Sequence, residues 1–197
     1  MPTYTSLTGL PAGNNFLVAD TTNSQVVATS GDPYTGPVPG IADQLVLITP
    51  DNLNIAATVP DVFIRSGAGT DALEAVGGIN VLDGGTGSNF LTGGGQTSFY
   101  LDDRTSTADT WSTITNFAKN DSVTVWGITP TNFDIAWRDN QGVGSYTGLT
   151  MHATAVGQPT ASLTLPGYST ADLTNGRLSI SFGTVQGNNY MYVHENS

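Results

Sequence analysis

The sequence predicts an all-β fold, with a short parallel β-roll flanked by antiparallel strands in a sandwich-like cap. Three observations favour this fold. Helix signals are scarce, apolar residues form short runs bounded by turn residues, and a nine-residue self-similarity begins at Ser66. The 197 residues, 38% of them hydrophobic, suffice for one domain or for two small ones that share a β-rich core.

The chain before the repeat reads as a loosely structured start over residues 1–40, followed by stronger strands. A Pro/Gly stretch, GDPYTGPVPG at 31–40, separates the two parts. After the repeat, alternating stretches predict antiparallel strands. The predicted strands are 16–19, 25–29, 44–49, 53–59, 62–65, 161–165, 178–182 and 190–193.

Four glycine-rich units of nine residues follow from Ser66: SGAGTDALE (66–74), AVGGINVLD (75–83), GGTGSNFLT (84–92) and GGGQTSFYL (93–101). The sixth position of each unit is short and polar, and the eighth is large and apolar or aromatic. The sixth positions are Asp71, Asn80, Asn89 and Ser98, and the eighth positions are Leu73, Leu82, Leu91 and Tyr100.

This pattern predicts a turn followed by a short strand in every unit. Glycine permits the tight curvature of the turn, and the eighth side chain faces the interior of the stack. Two units form one coil, so the first unit stacks on the third and the second on the fourth. One coil cannot bury its apolar face alone, whereas stacked neighbours can.

The four units resemble the nonapeptide repeats of RTX (repeats-in-toxin) proteins, with the consensus Gly-Gly-x-Gly-x-Asp-x-apolar-x, and GGTGSNFLT is the best match. The resemblance implies a parallel β-roll, calcium-dependent folding, and export by a type I system that reads an uncleaved C-terminal signal. The start MPTYTSLTGLPAG also lacks the basic and apolar runs of a cleaved signal peptide. We therefore expect a secreted or cell-surface location.

A second segment, DTWSTITNFAKNDSVTVWG at 109–127, resembles the part that follows the repeats in serralysin-type RTX proteins. The matching residues are Asp109, Ile114, Phe117, Asp121, Val123 and Val125. We expect an N-terminal β region over 1–60, a roll over 61–108, and a C-terminal cap with the export signal over 109–197.

The resemblance also implies calcium between the turns of successive coils. The best candidate site lies between turns 67–71 and 84–89, with Asp71, Asn89 and carbonyls near Gly67, Gly69, Gly84 and Thr86 as ligands. On the opposite side, Asn80 with turn 93–98 would need Asp83, Asp102 or Asp103. Asp109 and Asp121 are further candidates. Only one sixth position is an aspartate, so we expect one or two sites, or a metal-free glycine solenoid as the alternative.

Composition restricts the partners. Sixteen acidic residues against five basic ones give a net charge of −11, which disfavours nucleic acid and anionic membranes and favours hard cations. No segment is long and apolar enough for a membrane helix. Cysteine is absent, so disulfides and thiolate chemistry are excluded.

No catalytic motif stands out, and we expect no enzyme. His152 and His194 are interpreted as structural, and a polysaccharide lyase with Arg65 or Arg104 as base is the enzymatic alternative.

Two hypotheses about the function remain in front. One is a structural subunit of a surface layer, fibre or biofilm matrix that associates with its own copies. The other is an extracellular polysaccharide-binding module, with Trp111, Trp126, Trp137, Tyr146 and Tyr168 as candidate stacking rings.

Overall fold

The computed structural model describes residues 14–21 and 25–197. The first 13 residues, part of the start predicted as loosely structured, lie outside the described residues. The strands in chain order are β1 Phe16–Asp20, β2 Gln25–Thr29, β3 Asp32–Pro33, β4 Asp43–Val46, β5 Leu53–Ala57, β6 Val62–Arg65, β7 Asp71–Glu74, β8 Ile79–Asp83, β9 Asn89–Thr92, β10 Gln96–Asp102, β11 Thr110–Thr115, β12 Ser122–Trp126, β13 Asp134–Val143, β14 Tyr146–Thr154, β15 Ala161–Pro166, β16 Leu178–Val185 and β17 Asn188–Glu195, with helix α1 at Thr170–Thr174 before β16.

Two sheets face each other across one core. Sheet I has nine strands in the order β13-β14-β15-β11-β9-β7-β5-β1-β2, and sheet II has eight in the order β16-β17-β12-β10-β8-β6-β4-β3. From β4 to β12 the chain alternates between the sheets, and every pairing among these strands is parallel. The fold is a β-solenoid of about four turns. The all-β prediction, with parallel coils and antiparallel flanking strands, is confirmed.

Stacked apolar side chains from both sheets fill the solenoid. The sheet I column is Ile55, Leu73, Leu91 and Ile114, and the sheet II column is Ile64, Leu82, Phe99 and Val123, all nearly inaccessible to solvent. The strand of the first repeat unit, β7, pairs with that of the third, β9, and β8 of the second pairs with β10 of the fourth. The predicted stacking of alternate units is therefore confirmed.

The phase predicted for the fourth unit is wrong by one residue. Leu82 pairs with Phe99, only 17 positions later, so Phe99 occupies the interior column. Tyr100 instead pairs with Asp83 and points to the outer face of sheet II. By the same shift Thr97, not Ser98, is aligned with Asn80. The turn before β10 is one residue shorter than the nine-residue period assumes, and a one-residue slip exchanges the two faces of a strand.

The C-terminal strands extend both sheets. Strand β15 pairs in parallel with β11, and β14 and β13 follow it in antiparallel order. Helix α1 then leads to sheet II, where β16 and β17 form an antiparallel hairpin against β12. Leu173 of the helix packs against the core, and the Tyr168 hydroxyl donates to the Phe117 carbonyl. Among the described residues, no helix is long and apolar enough to cross a membrane.

A candidate metal site in the glycine turns

Turns line the two edges of the solenoid. The Asp71 edge comprises the turns that lead from sheet II to sheet I: 47–52, 66–70, 84–88 and 103–109. The Asn80 edge comprises the turns that lead back: 58–61, 75–78, 93–95 and 116–121. Buried polar side chains lie where these turns meet their strands: Asp71, Asn80, Asn89 and, in the fourth unit, Thr97 in place of Ser98.

The turns of the Asp71 edge lie in direct contact. The Thr86 N–H donates to the Gly67 carbonyl at 3.0 Å, and the Ala68 N–H donates to the Thr49 carbonyl at 3.0 Å. A β-carbon added at Gly87 would lie 1.7 Å from the Gly69 oxygen. Only glycine fits such a close backbone approach, which explains the glycine content of these turns.

Three buried oxygen atoms of this edge have no hydrogen-bond partner: Asp71 Oδ2, Asn89 Oδ1 and Ser66 Oγ. The three side chains are at most 1% exposed. Asp71 and Asn89 are paired neighbours on β7 and β9. The Ser66 hydroxyl also lies near enough to Asp71 to lower its pKa. Because a buried polar atom without a partner is costly, these three atoms make the edge a candidate site for a bound cation.

The remaining polar atoms of this group are well bound. Asp71 Oδ1 accepts from the Leu53 N–H at 2.8 Å, and Asn89 Nδ2 donates to the Gly87 carbonyl at 2.8 Å. These contacts hold both side chains in place. The free oxygens are therefore positioned by the fold, as a preformed site requires.

Burial raises the pKa of Asp71, and the nearby charge of Asp51 raises it further. The Leu53 N–H and the polar groups of Ser66 and Gly67 act in the opposite direction but do not outweigh burial. A cation beside the free oxygen of Asp71 would offset the cost of burying its charge. The sequence pattern did not identify Asp51, because the turn at 47–52 has no glycine. The available signal was the 18-residue period, which aligns Leu53 with Asp71 and so places the turn at 47–52 beside the turn at 66–70.

A polar cleft of about 460 Å³ opens outside this edge. Its walls include Asn52, Gly69, Thr86 and Asp109, from four successive turns. Solvent and small ions therefore reach the outer surface of the turns that carry the free oxygens.

The Asn80 edge has a different hydrogen-bond pattern. Asn80 Oδ1 accepts from the Val62 N–H at 3.1 Å, and its amide group donates to the carbonyls of Gly77 and Gly94. Asp121 accepts from the Thr97 N–H at 2.7 Å and from the Ala118 N–H at 2.9 Å, one with each oxygen. These two side chains have internal partners at every polar atom, so they act as connectors between coils.

The other predicted ligands lie apart from Asn80. Asp83 and Asp102 are the last residues of β8 and β10, whereas Asn80 lies near the start of β8. Neither carboxylate therefore reaches Asn80. Asp103 follows the end of β10 and lies farther away still. The structure therefore does not supply the additional carboxylate ligand that a metal site at Asn80 would need. Asp83 pairs with Arg65, Asp102 with Arg104, Asp103 accepts from Ser106 and Thr110, and Asp109 accepts from the Thr160 N–H.

The surroundings of these carboxylates shift their pKa values in different directions. Burial raises the pKa of Asp83 and of Asp103. Burial also opposes ionisation of Asp102. Three hydrogen bonds from Arg104, together with the charges of Arg104 and Arg65, outweigh burial and lower the pKa of Asp102. Among the residues that the structure describes, no three His, Cys, Asp or Glu side chains converge on a common metal position. A metal site at the Asp71 edge would thus use few carboxylates and several neutral oxygens.

The side chains considered for catalysis have hydrogen-bonding partners. Arg104 also lies over the Trp126 ring, 5.3 Å from its centroid. The His152 ring bonds to Ser162 and Gln141 on neighbouring strands, and His194 bonds to Asn196.

The five candidate stacking rings do not form one platform. Tyr168 is buried, Trp137 packs against the core, and Trp126 contacts Tyr190 on the outer face of sheet II. Trp111 and Tyr146 lie together at the outer face of sheet I.

No family model, curated protein or solved structure matches the chain. The architecture is compatible with a β-roll repeat protein. Any function must therefore be argued from the residues described above.

Proposed function

We propose that the protein is a secreted β-roll of the RTX type, which binds calcium at the Asp71 edge, folds outside the cell and associates with its own copies in an extracellular layer, fibre or matrix. The observation that carries the proposal is the group of three buried, unpaired oxygens on Asp71, Asn89 and Ser66.

Calcium suits these atoms by charge and by ligand type. It accepts six to eight oxygen ligands in flexible geometry, including carboxylates, amide oxygens and backbone carbonyls. Asp71 and Asn89 would supply side-chain oxygens, and the turns 66–70 and 84–88 would supply carbonyls. A bound dication would also compensate for the buried negative charge of Asp71 and the nearby Asp51.

Calcium binding at this position would couple metal to folding. The site joins β7 to β9, so the ligands come together only when successive coils stack. A ligand that binds only the native state adds about 2.7 kcal/mol of stability at a hundredfold excess over Kd. Calcium is scarce in the cytosol and abundant outside the cell, so a chain of this kind would fold after export.

Calcium should stabilise the wild-type protein and should act much less on Asp71→Asn. Removing the carboxylate lowers the charge of the site, and ligand charge sets much of calcium affinity. We expect the calcium midpoint for thermal stabilisation to rise at least about tenfold, equivalent to about 1.4 kcal/mol of binding free energy. Calcium titrations of EDTA-treated protein, followed by calorimetry and by far-ultraviolet circular dichroism, measure this midpoint.

Asp134→Asn is the matched control, since it removes one exposed carboxylate from β13 and should leave the midpoint unchanged.

The pH dependence of stability gives a second test of the calcium site. Because the pKa of Asp71 is raised in the folded protein, ionisation of Asp71 destabilises the metal-free fold as pH rises above the unfolded value of about 3.9. Calcium should remove this loss, and its affinity should fall on acidification. An absence of binding at millimolar calcium, or an unchanged midpoint in Asp71→Asn, would contradict the site.

The edges of the sheets support association with further copies. Strand β16 ends sheet II, and its eight residues LSISFGTV carry no charge. Phe182 and Val185 are exposed there. Among the strands of the described residues, β2 ends sheet I at the opposite end of the stack and is also uncharged. Uncharged edges pair readily with other strands, and one at each end is what a linear polymer requires.

Strand β13, at the other edge of sheet I, differs from β16. It carries Asp134, Arg138 and Asp139, and its register is interrupted between Arg138 and Gln141. Charges and bulges are the devices that protect an edge strand from pairing. The contrast favours β16 and β2 as the edges that would contact further copies.

Phe182→Lys should abolish ordered polymers of the calcium-loaded protein. The exposed position tolerates lysine in the monomer, whereas a charge on the edge opposes strand addition. Negative-stain microscopy with calcium and with EDTA measures the effect. Val156→Lys, at a fully exposed turn position, serves as the control and should still polymerise. Polymers that persist in Phe182→Lys, or wild-type protein that stays monomeric in calcium, would contradict this assembly.

A further inference from the structure

The β13–β14 hairpin bends back over the outer face of sheet I. Its register shifts between Arg138 and Gln141, and Asn140 and Gly142 have positive φ angles of 56° and 137°. The Thr150 hydroxyl donates to the Gln141 carbonyl at 3.0 Å and fixes the bend. The bulge therefore redirects the hairpin tip instead of extending the sheet.

The tip rests on an aromatic side chain of the solenoid. The rings of Tyr146, on the hairpin, and Phe90, on β9, meet edge to face with centroids 4.8 Å apart. A contact of this geometry contributes about 0.5–1.5 kcal/mol beyond the area it buries. The tip is thus held at a defined height above the sheet.

A cleft of about 370 Å³ lies between the tip and the sheet. Its walls combine the rings of Phe90, Trp111 and Tyr146 with short polar side chains that include Asn54, Thr113 and Ser145. No Lys, Arg or His is among its lining residues. The volume lies within the range of about 300–1,000 Å³ that is usual for ligand sites.

Trp111 is the unusual residue of the cleft. Its side chain is 42% exposed, although it sits on a central strand of the sheet. A large flat ring that borders a cleft and is not buried by the protein's own chain presents a free apolar face. The neighbouring amide and hydroxyl groups offer both donors and acceptors.

We propose that this cleft binds a segment of a neutral polysaccharide. A pyranose ring has an apolar C–H face, which packs flat on an indole ring. Its rim of hydroxyls matches the amide of Asn54 and the hydroxyls of Thr70 and Ser145, which line the cleft and are not buried. The net charge of −11 and the lack of a basic residue in the lining disfavour an anionic glycan. Asp71 also borders the cleft, but the ring and the hydrogen-bonding groups invoked here do not include its carboxylate.

Neutral oligosaccharides should bind the wild-type protein and should shift its tryptophan fluorescence. A panel of cello-, xylo-, manno- and laminari-hexaose, titrated by calorimetry and fluorescence, provides the probes. Trp111→Ala should weaken binding at least tenfold, whereas Trp111→Phe should retain part of the affinity and lose the fluorescence shift. These titrations are run in both calcium and EDTA on protein that circular dichroism shows to be folded, so that their outcome is separate from that of the calcium test.

Tyr190→Ala is the control, because Tyr190 pairs with Trp126 on the outer face of sheet II, 5.5 Å between centroids. This variant should bind every oligosaccharide as the wild type does. The proposal is overturned if no hexaose binds at millimolar concentration, if Trp111→Ala binds normally, or if Tyr190→Ala rather than Trp111→Ala abolishes binding.

Discussion

Gly87→Ala is expected to destabilise the protein by about 2–4 kcal/mol, because the substitution overpacks a contact between two backbones. The added β-carbon would lie 1.7 Å from the Gly69 oxygen, whereas real β-carbons almost never approach closer than 3.0 Å. The turn 84–88 would have to move by more than an ångström and would strain the hydrogen bond from Thr86 to Gly67. Urea unfolding followed by circular dichroism measures the loss.

Gly77→Ala is the matched control for this prediction. Gly77 also lies in a glycine turn, but no atom would contact an added β-carbon within 4 Å, and its φ angle is not positive. The alanine should leave stability unchanged or raise it by about 0.4–1 kcal/mol, because the unfolded chain loses freedom. Equal effects of the two substitutions would contradict the direct contact between turns.

Phe99→Ala is expected to cost about 3–5 kcal/mol, the usual range for removing a fully buried aromatic side chain. Phe99 is inaccessible to solvent, stacks between Leu82 and Val123, and lies 6.0 Å from the Phe117 ring centroid. The surrounding columns cannot collapse into the space, since each strand is held by its neighbours. The free energy of unfolding in urea measures the cost.

Tyr100→Ala tests the register of β10 from the other side. Tyr100 is half-buried on the outer face, so its loss should cost about 1 kcal/mol, the scale of strand propensity and surface pairing. A strict nine-residue repeat would place Tyr100 in the core, and it therefore predicts a larger loss of stability for Tyr100→Ala than for Phe99→Ala. A larger loss for Tyr100→Ala than for Phe99→Ala would restore that phase and contradict the structure.

Local patterns were sufficient for much of the fold. The strands Gln25–Thr29 and Val62–Arg65 were predicted with their observed bounds, because alternating apolar residues and turn residues define such segments locally. The columns through Leu73 and Leu91 followed from the repeat. The long hairpin β13–β14 was not predicted, although Leu149, Met151 and Ala153 alternate along β14 and lie in the core. Glycine, threonine and charged residues interrupt that alternation in the sequence.

The candidate site was predicted in part. Asp71 and Asn89 were selected from the sixth position of the repeat, and the structure leaves a free oxygen on each. Asn80 was selected by the same rule, yet its polar atoms are consumed by Val62, Gly77 and Gly94. Whether a buried oxygen keeps a partner depends on the turns of neighbouring coils, and the repeat pattern does not record those contacts.

The sequence by itself determined the class of fold, the stacking of alternate units and the position of Asp71 inside the coil, because glycine turns and apolar periodicity act over nine residues. The tertiary structure alone decided the register of Phe99, the pairing of the remaining aspartates and the cleft beside Trp111. Each of these depends on residues that lie far apart in the chain and are brought together by stacking or by the bent hairpin. Local propensity specifies a strand, but only its neighbours specify which face is buried and which polar atom remains without a partner.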